Sequence, residues 1–146
     1  MTPPPPSDPG LSRDEADCVF CRIVRGEAPA SKVLETDDAC AFLTHEPASD
    51  YHTLVVPRRH VVDLFDATPA DVLGVATAVK AVVDLYRERL GLENVEVASN
   101  SGADAQQGVF HLHVRVVPRH PGDGQDTHWA RRAAPDALDA RLARIR

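Results

Sequence analysis

His111, His113 and Arg115 fall two residues apart in the run Val-Phe-His-Leu-His-Val-Arg-Val-Val-Pro-Arg, which spans 109–119. Side chains on an extended strand alternate between its faces, so the three would line up on one side at roughly 6.5–7 Å intervals. Phe110, Leu112, Val114 and Val116 would form an apolar opposite face. Imidazole is neutral near pH 7 and can serve as nucleophile, base or metal ligand, while guanidinium pairs with phosphate oxygens. A half-exposed strand with a polar outer face would show the same alternation. Pro118 closes the run, because it cannot donate to a ladder.

A second set of chemically active residues lies near the N-terminus. Cys18-Val-Phe-Cys21 supplies two of the chain's three cysteines, the third being Cys40. Zinc takes four S or N donors in a tetrahedron. His60 and His111, at the polar ends of predicted strands, are the obvious further donors. A chelate formed by His111 with His113 is the alternative. A thioredoxin-like redox site would need a strand just before the pair, where Ser12 and Glu15 instead form a capping-box pattern. The loop from Asn100 to Gly108 enters the histidine run directly. Its small residues could turn backbone amides toward an anion, and Asn100 and Gln107 add neutral donors.

The elements that must position these groups are legible in outline. The capping box predicts a short helix from Ser12 to about Val24, with the cysteines on one face. Lys32–Glu35 and Ala39–Thr44 read as strands joined by a turn at Thr36-Asp37-Asp38. His52–Pro57 reads as a central, nearly all-apolar strand. Thr68-Pro69-Ala70-Asp71 is a helix start, and Gly91 is a helix stop. Between them Val72, Val75, Val79, Val82, Val83, Tyr86 and Leu90 recur at three- and four-residue steps, predicting a long helix over 69–90 with that face on the sheet. Val95–Asn100 reads as the fourth strand and the histidine run as the fifth. Pro135 and the leucine spacing suggest a helix within Ala134–Arg146.

The chain has 146 residues, 43% of them hydrophobic and 26% charged, which suits one ordinary globular domain. Residues 1–11 are expected to be a disordered, proline-rich tail, lacking the basic and apolar regions of a signal peptide, with 12–129 the domain and 130–146 a helical C-terminal tail. No apolar run reaches the length of a membrane span. A net charge of −6 argues against a nucleic-acid polymer as partner, though not against a small anion. A cytoplasmic location is expected. Trp129 is expected to pack the tail onto the body.

Taken together, His-Leu-His-Val-Arg-Val-Val at 111–117, preceded by Asn-x-Gly-x-x-x-x-Gln-x-Val from Asn100, resembles the histidine-triad (HIT) family of nucleotide hydrolases and transferases. Cys-x-x-Cys at 18–21, Gly-Glu-x-Pro-Ala at 26–30, Ala-Phe-Leu at 41–43 and His-Thr-Leu-Val-Val-Pro-Arg-x-His at 52–60 extend the likeness over about Asp17 to Trp129. The resemblance implies an α+β fold with about five antiparallel strands and one long helix, assembled as a homodimer. It places the nucleophile on His113, a neighbouring histidine on His52, and phosphate-pocket residues on Asn100, Gln107 and Gly108. In the zinc-bearing branch it makes Cys18, Cys21, His60 and His111 the ligands of a structural zinc ion. The expected activity is attack by His113 on the α-phosphate of a nucleotide anhydride, giving a covalent nucleotidyl-histidine.

Two positions depart from the family pattern. Arg115 replaces the third histidine. It can neutralise phosphate oxygens but does not give up a proton, which points to substrates with acidic leaving groups, such as dinucleoside polyphosphates or nucleotide sugars. Thr44 replaces an Asp that would hold ribose hydroxyls, removing charge-assisted bonds of roughly 1.5–3 kcal/mol. Two other classes compete with an enzyme. One is a catalytically weak nucleotide sensor of the same fold, and the other is a zinc-stabilised adaptor that acts through its dimer surface.

Overall fold

The computed structural model describes residues 13–127 and 130–146. Its elements are α1 (Val19–Val24), β1 (Lys32–Glu35), β2 (Ala39–Leu43), β3 (Thr53–Pro57), α2 (Pro69–Leu90), β4 (Val95–Ala98), β5 (Val114–Pro118) and α3 (Pro135–Ala143), with short 3-10 turns at Glu15–Asp17 and Ala103–Ala105. The strands form one antiparallel sheet in the order β1-β2-β3-β5-β4. This is the expected α+β architecture, with β3 at the centre. Ser12, His128 and Trp129 lie outside the described residues, and with them the capping-box and tail-packing expectations.

Alternation along the strands sorts the sheet into two faces. Ala39, Ala41, Val55 and Val116 point to one, where Val75, Ala78, Val82 and Tyr86 of α2 cover them. Cys40, Phe42, Leu54 and Val56 point to the other, where Cys18, Phe20, Cys21 and Ile23 pack. The site described below is built on this second face.

The long helix begins and ends where its sequence says it should. The Thr68 side chain accepts from Asp71 N–H, the Asp71 carboxylate accepts from Thr68 N–H, and Gly91 closes the helix at φ 66°. Its buried stripe is narrower than the valine spacing predicts. Gly74, Val75, Ala78, Val82 and Tyr86 are buried, whereas Val72 and Leu90 are exposed. The smaller side chains mark where the helix comes closest to the rest of the fold. A Cβ at Gly74 would lie 2.7 Å from the Asp38 Cβ in the β1–β2 turn. Gly74→Ala should therefore lower stability by about 1–2 kcal/mol, overpacking outweighing the helix-propensity gain. Urea denaturation checks this, and a stabilised variant would contradict it.

Two further expectations are corrected. The N-terminal helix is broken at Cys18, whose backbone is extended at φ −81° and ψ 113°. Cys18 is instead the N-cap of α1, its Sγ accepting from Cys21 N–H at 3.3 Å. The fifth strand starts at Val114 rather than Val109. Residues 109–113 leave the ladder because Leu112 N–H donates to Val61 O, at 2.6 Å, in the segment that follows β3. Strands β2, β3 and β4 differ from expectation only at their ends, stopping at Leu43, starting at Thr53 and stopping at Ala98.

Candidate active site and metal centre

Cys18 and Cys21 are brought to one place by the tight turn that opens α1. His111 Nδ1 lies 3.3 Å from the Cys18 Sγ and 3.4 Å from the Cys21 Sγ, and His60 Nδ1 lies 3.2 Å from the Cys21 Sγ. The four donor atoms all fall within 4.8 Å of one another. Ligand bonds of about 2.3 Å to sulfur and 2.0–2.1 Å to nitrogen, at tetrahedral angles, put S and N roughly 3.6 Å apart, so the set can hold a metal ion of zinc's size.

The surroundings favour this use. His111 Nε2 faces Pro57 O at 2.8 Å and His60 Nε2 faces Arg13 O at 2.9 Å. Each carbonyl takes the Nε2 proton, which leaves the Nδ1 lone pair free for a ligand bond. Burial lowers His111 to about 4, keeping that ring neutral. Burial, and then the adjoining Cys18 side chain, push the Cys21 thiol up to about 12. A thiolate at this position would thus need a cation beside it. The two alternatives do not form. His113 is outside the cluster, and among the described residues no strand precedes the cysteines.

The metal cluster and the cleft meet at the histidine run. His113 Nδ1–H donates to His111 O at 2.8 Å, so its Nε2 keeps a free lone pair. Burial, and secondarily the charge of Arg115, lowers its pKa. The ring lines a cleft of about 620 Å³ together with His52, Arg115, Gly108, Thr44, His45 and Glu46. The apolar side chains of Val19, Phe20, Ile23, Ala28, Pro29 and Phe42 also line it. The cleft therefore combines a few polar groups with apolar surface, as small-molecule sites do.

His52 and Arg115 are held by register. Leu54 pairs with Arg115 across β3 and β5, putting both on the cleft face, and His52 precedes that strand by one residue. Tyr51 adopts φ 65°, a conformation rare outside glycine, and its carbonyl accepts from the Thr53 hydroxyl at 2.8 Å. His52 Nδ1 accepts from Ala48 N–H at 3.0 Å, which places the ring proton on Nε2. That Nε2 is buried without a hydrogen-bond partner among the described residues, as is the Nε of Arg115. Burial, then the Arg115 charge, lowers the His52 pKa, so its ring too is neutral at pH 7.

The remaining expected residues sit behind the cleft. Asn100 accepts from Arg115 Nη2 at 3.1 Å and donates to Ala105 O at 2.8 Å. Gln107 is buried and donates to Val62 O and Val109 O, while its carbonyl accepts from Gly102 N–H. Both amides brace the loop, and neither lines the cleft. The amides of Gly102, Ala105, Gln106 and Gln107 are likewise consumed inside the loop. Sequence reasoning missed Phe20, whose ring meets those of His111 and His113 edge-on. It also missed Ser99, whose hydroxyl donates to His113 O at 2.8 Å. Phe20's place inside the Cys-x-x-Cys motif was the available signal, whereas nothing local marked Ser99.

The family model for the HIT domain matches residues 25–122. The chain belongs to the HIT domain family. Among its relatives, adenylylsulfatase HINT3 of Arabidopsis thaliana is 34% identical over 78% of this chain and 56% of the plant protein. The adenosine 5'-monophosphoramidase hnt1 of Schizosaccharomyces pombe is 34% identical over 70% of this chain and 74% of its own. A zinc-bound histidine triad family protein from Mycobacterium smegmatis is 37% identical, with a TM-score of 0.72 over 90% of this HIT chain and 97% of the other. HIT relatives thus include nucleotide hydrolases. In this HIT protein no helix among the described residues is long and apolar enough to cross a membrane.

Proposed function

We propose that the protein is a nucleotide phosphoanhydride hydrolase, or a nucleotidyl transferase, in which His113 carries the nucleotidyl group for part of the cycle. One observation carries the reading. Two buried donors, His52 Nε2–H and Arg115 Nε–H, lack partners among the described residues and line the same cleft as an imidazole whose tautomer is fixed. An unpaired buried polar group costs about 1–3 kcal/mol, and phosphate oxygens in the cleft would satisfy both.

The Nε2 lone pair of His113 forms a bond to the α-phosphorus as the bond to the leaving oxygen breaks, and the leaving group departs with that electron pair. The Nδ1–H bond to His111 O, at 2.8 Å, disperses the positive charge that builds on the ring. Water then forms a new P–O bond, the N–P bond breaks, and a nucleoside monophosphate is released. In a transferase another phosphate would take the place of water. Arg115, braced by Asn100, neutralises the phosphoryl oxygens throughout, and the neutral His52 ring donates a hydrogen bond to them from Nε2. Ribose hydroxyls would meet Thr44 and Glu46, the latter the single carboxylate among the described cleft-lining residues. Gln107 and Gly108 would shape the phosphate end through the loop backbone.

Cys18, Cys21, His60 and His111 would hold zinc, which supplies a structural link and no open coordination position. A homodimer is supported by β4, a sheet-edge strand carrying Val97 half-exposed. A cytoplasmic setting remains our reading.

The substrate preference follows from Arg115. A guanidinium does not protonate a leaving amine, so anhydrides whose leaving group is already a weak base, such as polyphosphate or sulfate, should turn over faster than phosphoramidates. Assay of a diadenosine polyphosphate, adenylyl sulfate and an adenosine phosphoramidate tests this. Arg115→His should raise the phosphoramidate rate relative to the anhydride rate about 10–100-fold. Equal rates in the wild type would overturn the preference.

A further inference from the structure

We propose that the four-ligand metal cluster, through the Phe20 ring and the His111 carbonyl, sets the plane and tautomer of the His113 imidazole. Phe20 and His111 are then positioning residues for the reaction proposed above, on which this inference rests.

His113 is not held by the sheet. Regular pairing of β5 starts at Val114, so 109–113 depends on scattered contacts. The backbone is fixed by Leu112 N–H to Val61 O, Gln107 Nε2–H to Val109 O and Ser99 Oγ–H to His113 O. Phe110 and Leu112 are buried, and the His111 side chain between them is a further anchor, tied to Pro57 O by Nε2 and directed to the two cysteines by Nδ1. The carbonyl of this same residue accepts the Nδ1 proton of His113. Any shift of His111 therefore moves the acceptor that selects the nucleophile's tautomer.

A second connection runs through the Cys-Val-Phe-Cys motif. Phe20 is buried, and its ring lies 5.9 Å from His111 at 77° and 5.3 Å from His113 at 79°. Phe42 backs it at 5.5 Å. The aromatic edge-to-face contact walls one side of the His113 ring, and the His111 carbonyl fixes its orientation. Because Cys18 caps α1 and Cys21 lies in its first turn, a metal bound to both holds Phe20 in place. If the metal positions His113, a ligand engaged by His113 must perturb the metal in return.

Two measurements test this together. Wild-type protein with cadmium in place of zinc, which the sulfur donors accept, should show a shifted 113Cd resonance on saturation with AMP, and the His113→Ala form should show none. AMP bound without a shift, or the same shift in His113→Ala, would overturn the coupling and leave the nucleotide reading intact. Failure of AMP to bind at all would overturn that reading and the coupling with it. Phe20→Leu should keep its metal and lower kcat about 10-fold or more with KM within about twofold, as expected for a misplaced nucleophile. Unchanged kcat, or a rise in KM alone, would mean that Phe20 is only a wall of the cleft. Should Phe20→Leu fail to fold, the cadmium result on wild type decides.

Discussion

His113→Ala is expected to lower kcat by about 10³-fold or more while leaving the fold intact, because it removes the cleft imidazole whose Nδ1–H bond to His111 O leaves Nε2 free to attack. His52 cannot substitute, since its Nδ1 already accepts from Ala48 N–H and its Nε2 carries the proton. His111 cannot substitute either, with Nε2 bound to Pro57 O and Nδ1 among the cysteines. The attacking form is the neutral ring. Burial, with Arg115 adding to it, sets the His113 pKa below the usual imidazole value of 6.5. The acid limb of the wild-type kcat/KM profile should therefore lie below pH 6.5, with activity falling as pH drops through that lowered value. Steady-state assays on both forms, with thermal melts as a control on folding, check this. A limb well above pH 6.5 would assign it to another group.

The second large effect is expected at the metal. Cys18 has two local duties, as a donor of the four-atom cluster and as the N-cap of α1. Serine is a better N-cap than most residues but a poor soft-metal donor, so Cys18→Ser keeps the first duty and damages the second. Loss of one ligand should weaken zinc binding on the order of 10²-fold or more. By linkage a factor of 100 corresponds to about 2.7 kcal/mol at saturating metal, or roughly 10 °C in Tm for a chain of this size. Metal analysis and melts with and without a chelator provide the measurement. Wild type should lose stability to the chelator, and the variant should start lower and respond less. Equal Tm values and a chelator-insensitive wild type would contradict a structural metal.

Much of this was readable before any coordinates. Short-range signals decided the elements: Thr68-Pro69 and Gly91 bounded α2, and β3 was central because its residues are apolar on both faces. The donor set Cys18, Cys21, His60 and His111 came from residue types and the family resemblance, and the fold brings all four together. The failures share a physical cause. Strand alternation continued back to Val109 in sequence, but a tertiary bond from Leu112 to Val61 pulled 109–113 out of the ladder. That detour buries His111 fully, where alternation alone placed it on a polar outer face. Asn100 and Gln107 looked like donors to an anion because an amide's partners are invisible in sequence. Their hydrogen bonds go to Arg115 and to the loop backbone. Likewise no local pattern could reveal that His52 and Arg115 each keep one buried N–H unpaired among the described residues.

Everything proposed about catalysis depends on a transient bond between His113 Nε2 and phosphorus. Rapid acid-free quenching during turnover of a diadenosine polyphosphate, followed by peptide mass spectrometry, looks for that bond directly. A nucleotidyl adduct located on His113, formed and lost at rates that match turnover, is the expected result. Full turnover with no adduct, accompanied by inversion at a chiral α-phosphorus, would mean that water attacks directly and would contradict it.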